Sequence, residues 1–306
     1  MRLSRTVQSI LSHYESDTPG SKANLARILM TGKLAGTGKM VILPVDQGFE
    51  HGPARSFAVN PDAYDPNYHL QLAIDAGLNA YTTTLGMMEA VADRAAGRIP
   101  LILKLNSSNS WAPEKDSTIH GGIDDALRLG CGAIGFTVYP GSPFFNEMAE
   151  EFRELAAEAK ALGLAVILWS YPRGGALSKE GETALDVGAY AAHLAASLGA
   201  HIIKVKLPSD HLEQPEAAKV YQTTGIDRSS QAARVRHIMQ AAYNGTRLVV
   251  FSGGNKKGAD SLYDDARAIR DGGGHGSIIG RNSFQRPRDE ALAMLSQIVD
   301  IYKGKA

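Results

Sequence analysis

Leu198-Gly199-Ala200-His201-Ile202-Ile203-Lys204-Val205-Lys206-Leu207 joins the end of one amphipathic stretch, residues 185–198, to a short β-rich run, residues 202–206. Gly199 stands where a helix is expected to stop, because glycine enters the left-handed backbone of a helix C-terminus without steric cost. In the run that follows, side chains alternate between faces. Lys204 and Lys206 therefore share one face. Ile203, Val205 and Leu207 share the other, which is able to pack on a helix.

The same helix–glycine–strand join recurs along the chain. After residue 40, β-rich runs are expected at residues 41–45, 79–84, 101–105, 133–138, 165–170, 202–206, 248–251 and 277–279. Helical patterns follow most of them, for example at 147–162, 185–198 and 261–271. Several runs are almost wholly apolar, as parallel strands covered by helices must be. Eight strand–helix units in 306 residues predict an α/β fold, a (β/α)8 TIM barrel. An open doubly wound sheet is the alternative. No long linker rich in proline or serine divides the chain, so residues 1–306 read as a single domain. Residues 1–38 form its N-terminal helical arm, with a helix expected at 24–34. Gly36-Thr37-Gly38-Lys39 has the composition of a phosphate loop. It precedes a strand, however, and Met40 stands where that motif needs Ser or Thr, so it reads as a turn. The polar stretch 208–228 is expected to be a loop that acts as a lid.

Lys and Arg together number 32, as do Asp and Glu, so the formal net charge is zero. That balance offers no electrostatic reason to expect nucleic acid or an anionic membrane as a partner. No apolar run approaches the ~20 residues that a bilayer span requires. Met1-Arg2-Leu3-Ser4-Arg5 lacks an apolar signal core, and the lone Cys131 is unable to form an intrachain disulfide. A cytoplasmic location is the expectation. Of nine histidines no two lie within four residues of each other, so no local metal-binding pair exists and no metal is expected. No Gly-x-Ser-x-Gly elbow is present.

In a barrel the chemistry sits at the C-terminal ends of the strands. The first run ends in Asp46-Gln47-Gly48, with Glu50 and His51 close behind. The third carries Lys104 and Asn106. The fifth places Trp169 and Tyr171 on one face, followed by Arg173. The sixth carries Lys204 and Lys206. A buried ammonium is costly, and a neighbouring cation makes loss of its proton easier still. The resulting neutral amine is the species that Schiff-base chemistry requires. The plain reading is an edge strand with two solvated lysines, beside two core aromatics and a solvated arginine. The seventh and eighth runs end in Ser252-Gly253-Gly254 and Gly280-Arg281. Loops at these two positions often bind phosphate through backbone N–H groups, and Arg281 adds a charged fork.

Five stretches now carry a resemblance. They are Leu43-Pro44-Val45-Asp46-Gln47-Gly48-Phe49-Glu50-His51-Gly52, Leu168-Trp169-Ser170-Tyr171-Pro172-Arg173-Gly174, Gly199-Ala200-His201-Ile202-Ile203-Lys204, Phe251-Ser252-Gly253-Gly254 and Ile279-Gly280-Arg281-Asn282. In this order they resemble the archaeal/bacterial-type, or DhnA-type, class I fructose-1,6-bisphosphate aldolases. The likeness runs from about Gly36 to the C-terminus. It implies a (β/α)8 fold and a covalent lysine Schiff base, with no metal or other cofactor. It places the Schiff-base lysine at Lys204, with Lys206 as the neighbour that helps depress its pKa and the second choice. It places the proton-transferring tyrosine at Tyr171 and the acid/base aspartate at Asp46. Trp169 would wall the site. Ser252, Gly253, Gly254, Gly280 and Arg281 would hold the phosphate nearer the keto group, and His51 and Arg173 the distal one. The implied partners are a phosphorylated sugar substrate and further copies of the chain, since family members form rings, often decamers. The same family includes 2-amino-3,7-dideoxy-D-threo-hept-6-ulosonate synthases, which share the lysine, tyrosine and aspartate. Trp169 favours the fructose-bisphosphate branch. A barrel that only binds phosphorylated metabolites is the reading from another class, and phosphate binding alone needs none of Asp46, Tyr171 and Lys204.

Overall fold

The computed structural model describes residues 2–254 and 257–306. Eight parallel strands close into a barrel: β1 (Met40–Val45), β2 (Ala80–Thr83), β3 (Leu101–Lys104), β4 (Ala133–Val138), β5 (Ala165–Ser170), β6 (Ile202–Val205), β7 (Leu248–Ser252) and β8 (Gly276–Ile278). All eight expected strands are present, with ends that differ little from those read from the sequence. Neighbours follow chain order around the ring, and β8 pairs back onto β1 with Val41 opposite Ser277. That last pairing removes the open-sheet alternative, because it leaves no free edge.

The period of two in each strand sorts side chains between two cores. Val41, Leu43, Phe136, Val166, Leu168, Ile203, Val205 and Phe251 face outward into the helix-covered layer. Met40, Ile42, Ile102, Ile167, Trp169, Ile202 and Val250 face inward. The covering helices match the sequence pattern, for example Phe145–Ala161, Leu185–Ser197 and Ala259–Asp271. Gly135 on β4 makes room for the largest inward side chain. A Cβ there would lie 2.6 Å from the Trp169 ring, too close for any side chain larger than hydrogen.

The interior core continues downward into the N-terminal arm. Helices α1 (Arg5–Ser12) and α2 (Pro19–Leu29) and the turn between them bury Val7, Ile10, Leu11, Tyr14, Leu25, Ile28 and Leu29 against the barrel floor. The second helix lies nearer the N-terminus than the expected 24–34. The Thr18 hydroxyl accepts from the Ser21 N–H and Pro19 occupies the first turn, which together set an earlier start. Gly36 and Gly38 both have left-handed backbone in a turn, as read from the sequence.

Two loops depart from expectation. Residues 208–228, read as unbroken loop, contain the helix Pro215–Thr224, with Pro215 opening it and left-handed Gly225 closing it. After β3, Asn106–Ser107 pairs antiparallel with Thr118–Ile119 in a small ribbon that the strand pattern does not announce. No helix among the described residues is long and apolar enough to cross a membrane.

Candidate active site

Lys204 enters the barrel interior because it shares the parity of Ile202, and it pairs in register with Trp169 on one side and Val250 on the other. Its side chain is almost wholly buried. The Nζ lies 5.1 Å from the centre of the Trp169 ring and 5.5 Å from that of Tyr171. Burial is the main cause that pushes its pKa down, to about 7. Lys104 and Arg281 push in the same direction, and Asp46 and Glu50 oppose them. At neutral pH a large share of this amine is therefore unprotonated.

The lysine that helps depress Lys204 is Lys104 from β3, not Lys206 as expected from the sequence. Lys104 is inward on the parity of Ile102, and its Nζ lies 5.5 Å from the same Trp169 ring. Burial pushes its own pKa down to about 8, against the pull of Asp46 and Glu50. Its ammonium donates to the backbone carbonyl and the side-chain oxygen of Asn106. Lys206 keeps the parity of Lys204 but stands just beyond the end of β6. There its ammonium is drawn 2.8 Å from the Glu182 carboxylate.

Lys204 and Lys206 open onto a cavity of about 420 Å³ at the C-terminal end of the barrel. Every residue that the resemblance placed in the site lines it. Asp46 stands at the start of the short helix Gln47–His51 that follows β1. Tyr171 follows the end of β5; burial drives the pKa of its hydroxyl up, and the Ser252 side chain opposes that rise. The Trp169 indole N–H is buried and has no hydrogen-bond partner among the described residues. Ser252, Gly253 and Gly254 form one rim, and Gly280 and Arg281 the adjoining one. The Asn282 side-chain amide donates to the Gly253 carbonyl at 3.0 Å, tying the two rims together. Gly280 has no room for a side chain, since a Cβ would lie 2.8 Å from the Pro44 carbonyl oxygen.

The Arg173 guanidinium donates to the Glu50 carboxylate at 3.0 Å and stacks over Tyr139 and Tyr171 at 5.4 and 5.7 Å. Burial raises the pKa of Glu50, but Arg173 and His51 more than offset it and hold the carboxyl low. His51 is shifted down, chiefly by burial and against the pull of Glu50. It lies 3.3 Å from the Ser110 hydroxyl.

The sequence assigned no role to Lys104, Glu50, Tyr139, Lys179 or Glu182. Lys104 had a usable signal, being an inward lysine at the end of an apolar strand. Lys179 and Glu182 had none, because they sit in an irregular loop whose path the local sequence does not specify.

A family model described as DeoC/LacD family aldolase matches residues 40–286. A probable class 1 fructose-bisphosphate aldolase of Chlamydia muridarum is 35% identical over 292 residues, covering 91% of this chain and 83% of that protein. A class 1 fructose-bisphosphate aldolase of Thermoproteus tenax is 36% identical over 271 residues, 88% of this chain and 91% of that protein. A solved archaeal fructose-1,6-bisphosphate aldolase has its catalytic lysine covalently bound to the carbinolamine intermediate of the substrate. It is 32% identical to this chain, with a TM-score of 0.75 over 91% of this chain and 98% of that one.

Proposed function

The chain belongs to the DeoC/LacD family of aldolases, and from that premise we propose that it is a class I aldolase. It cleaves fructose 1,6-bisphosphate reversibly to dihydroxyacetone phosphate and glyceraldehyde 3-phosphate through a Schiff base on Lys204. The observation that carries the proposal is the state of Lys204: an inward lysine, buried beside two aromatic rings, with its pKa pushed down to about 7 at the base of the cavity. Such an amine is nucleophilic at neutral pH.

The Lys204 nitrogen attacks the C2 carbonyl carbon of the ketose. Proton transfers by Asp46 and Tyr171 convert the carbinolamine to an iminium ion with loss of water. Tyr171 acts first as an acid, since its raised pKa keeps it a phenol at neutral pH. Having given up that proton, the phenolate takes the C4 hydroxyl proton as the C3–C4 bond breaks. The electron pair of that bond moves into the iminium to form an enamine, and glyceraldehyde 3-phosphate leaves. Protonation at C3 and addition of water then release dihydroxyacetone phosphate and regenerate the amine. No metal is needed, because the iminium is the electron sink. The loops of Ser252, Gly253 and Gly254 and of Gly280, with Arg281, hold the phosphate nearer the keto group. His51, Arg173 and Lys206 serve the distal one. The unpaired Trp169 N–H supplies a donor to a substrate oxygen, which would recover the ~1–3 kcal/mol that a buried unsatisfied donor costs. Residues 1–306 act as one barrel domain with residues 1–38 as its arm, in the cytoplasm and as a homo-oligomer, a decamer by resemblance.

Borohydride reduction in EDTA with fructose 1,6-bisphosphate, followed by peptide mass spectrometry, tests the mechanism. A reduced adduct on Lys204 is expected. An adduct on Lys206 would correct the residue, and triose phosphate formation without any adduct would exclude Schiff-base chemistry.

A further inference from the structure

The part of the cavity where Arg173 and Lys206 act on each other also holds a carboxylate, where a phosphate site would gain from cations alone. Glu182 lies on the short turn Gly181–Thr183 in the loop after β5. Its carboxylate accepts from the Lys206 ammonium at 2.8 Å and from the Lys179 ammonium at 3.1 and 3.2 Å. All three side chains line the cavity, and that of Glu182 is only 14% exposed. The carboxylate cancels one of the two positive charges that the lysines bring.

A purely structural clasp between the loops after β5 and β6 is already present without Glu182. The Ser209 N–H donates to the Thr183 carbonyl at 2.7 Å, and the Leu185 N–H to the His211 carbonyl at 2.9 Å. The Glu213 carboxylate accepts from both the N–H and the hydroxyl of Ser178 at 2.8 Å. Glu182 therefore adds little to joining the loops, but it changes the charge that faces the cavity.

We infer that Glu182 is a specificity-determining residue that sets how strongly the distal end of the cavity prefers a phosphate over an uncharged group. A phosphate entering there is attracted by Lys179 and Lys206 and repelled by the carboxylate beside them. An uncharged hydroxymethyl end escapes the repulsion and offers a hydroxyl that donates to the carboxylate. Glu182 thus narrows the advantage of a bisphosphate ketose over the same ketose phosphorylated only beside the keto group.

The inference rests on the ketose-cleaving reading above, and the test separates the two. The ratio of kcat/KM for fructose 1,6-bisphosphate to that for fructose 1-phosphate is measured for the native chain, Glu182→Gln and Lys206→Met, with Glu182→Asp as the conservative control. Both main variants break the same ion pair, so a clasp would move the ratio in the same direction or leave it unmoved. A charge filter moves it in opposite directions. Glu182→Gln is expected to raise the ratio about three- to tenfold and Lys206→Met to lower it by a similar factor. The rise should shrink at high salt, and Glu182→Asp should restore the native ratio. Equal or same-sign shifts overturn the role of Glu182. If Glu182→Gln does not fold, an unlowered ratio in Lys206→Met overturns it alone. A native chain that cleaves neither ketose defeats the aldolase reading, and the inference falls with it.

Discussion

Tyr14 in the floor of the barrel and Trp169 below its mouth bring polar hydrogens into the same apolar interior. Their surroundings treat them differently. The Tyr14 hydroxyl donates to the His201 carbonyl at 2.7 Å and accepts from the Leu248 N–H at 3.1 Å. Also in the floor, the Asn79 side chain accepts from the Val41 N–H and donates to the Ile28 and Thr31 carbonyls. His201 accepts from the Val166 N–H and turns its other ring nitrogen to Asp17 at 3.1 Å. At the mouth the Trp169 N–H has no partner among the described residues, and two lysines are held with their pKa values pushed down. Stability and reactivity thus reside at opposite ends of one core. The floor uses its polar groups to close the barrel onto its arm. The mouth keeps some of its polar groups uncompensated, as a site prepared for a ligand does.

Replacing Lys204 probes the contrast most severely. Lys204→Met is expected to reduce turnover to background while raising the unfolding temperature. Lys204 titrates near 7 in the folded chain against an ordinary 10.5. Between those values the unfolded chain binds more protons, so this residue's contribution makes stability rise with pH across that window. Below it the penalty is fully present, on the order of a few kcal/mol. Methionine abolishes it. Thermal melts at pH 7 check the sign, and an unfolding temperature below that of the native chain would mean that the mouth is not under strain. Next in size, Tyr171→Phe should lower kcat by about 10²–10⁴ with little change in the melt. A loss below tenfold would remove Tyr171 from proton transfer.

Lys104→Met separates burial from charge at the mouth. Without the second cation the Lys204 amine should hold its proton to higher pH. The acid limb of the kcat/KM profile is then expected to move upward, costing roughly fivefold at pH 7 for a shift of one unit. An unmoved limb would assign the whole effect to burial. The smallest kinetic effect belongs to the floor. Tyr14→Phe removes two buried hydrogen bonds and leaves the Leu248 N–H and the His201 carbonyl only their 3.3 Å bond to each other, which should cost about 1–3 kcal/mol in urea unfolding with kcat unchanged. A kinetic defect there would show that floor and mouth are coupled through the interior core.

Much of this is legible in the amino-acid sequence. Local periodicity locates all eight strands, and strand parity turns Lys204 inward among side chains of known character. The site residues named from the sequence all reach one cavity because each follows or ends a strand, where a barrel offers only one face for them to share. Parity alone does not reveal which lysine acts on Lys204. Lys206 is close in sequence, yet it stands past the end of its strand with Glu182, whereas Lys104 comes from farther around the ring.

The order of residues is thus enough to set the alternation of elements and the face of each strand. These follow from short-range backbone geometry, which repeats every two or 3.6 residues whatever the rest of the chain does. The closure of β8 onto β1, the sealing of the floor by α1 and α2, and the pairings Lys206–Glu182 and Arg173–Glu50 arise only when the whole chain packs. Each of these joins residues distant along the chain, and the electrostatic state of a buried group depends on everything packed around it rather than on its neighbours in sequence.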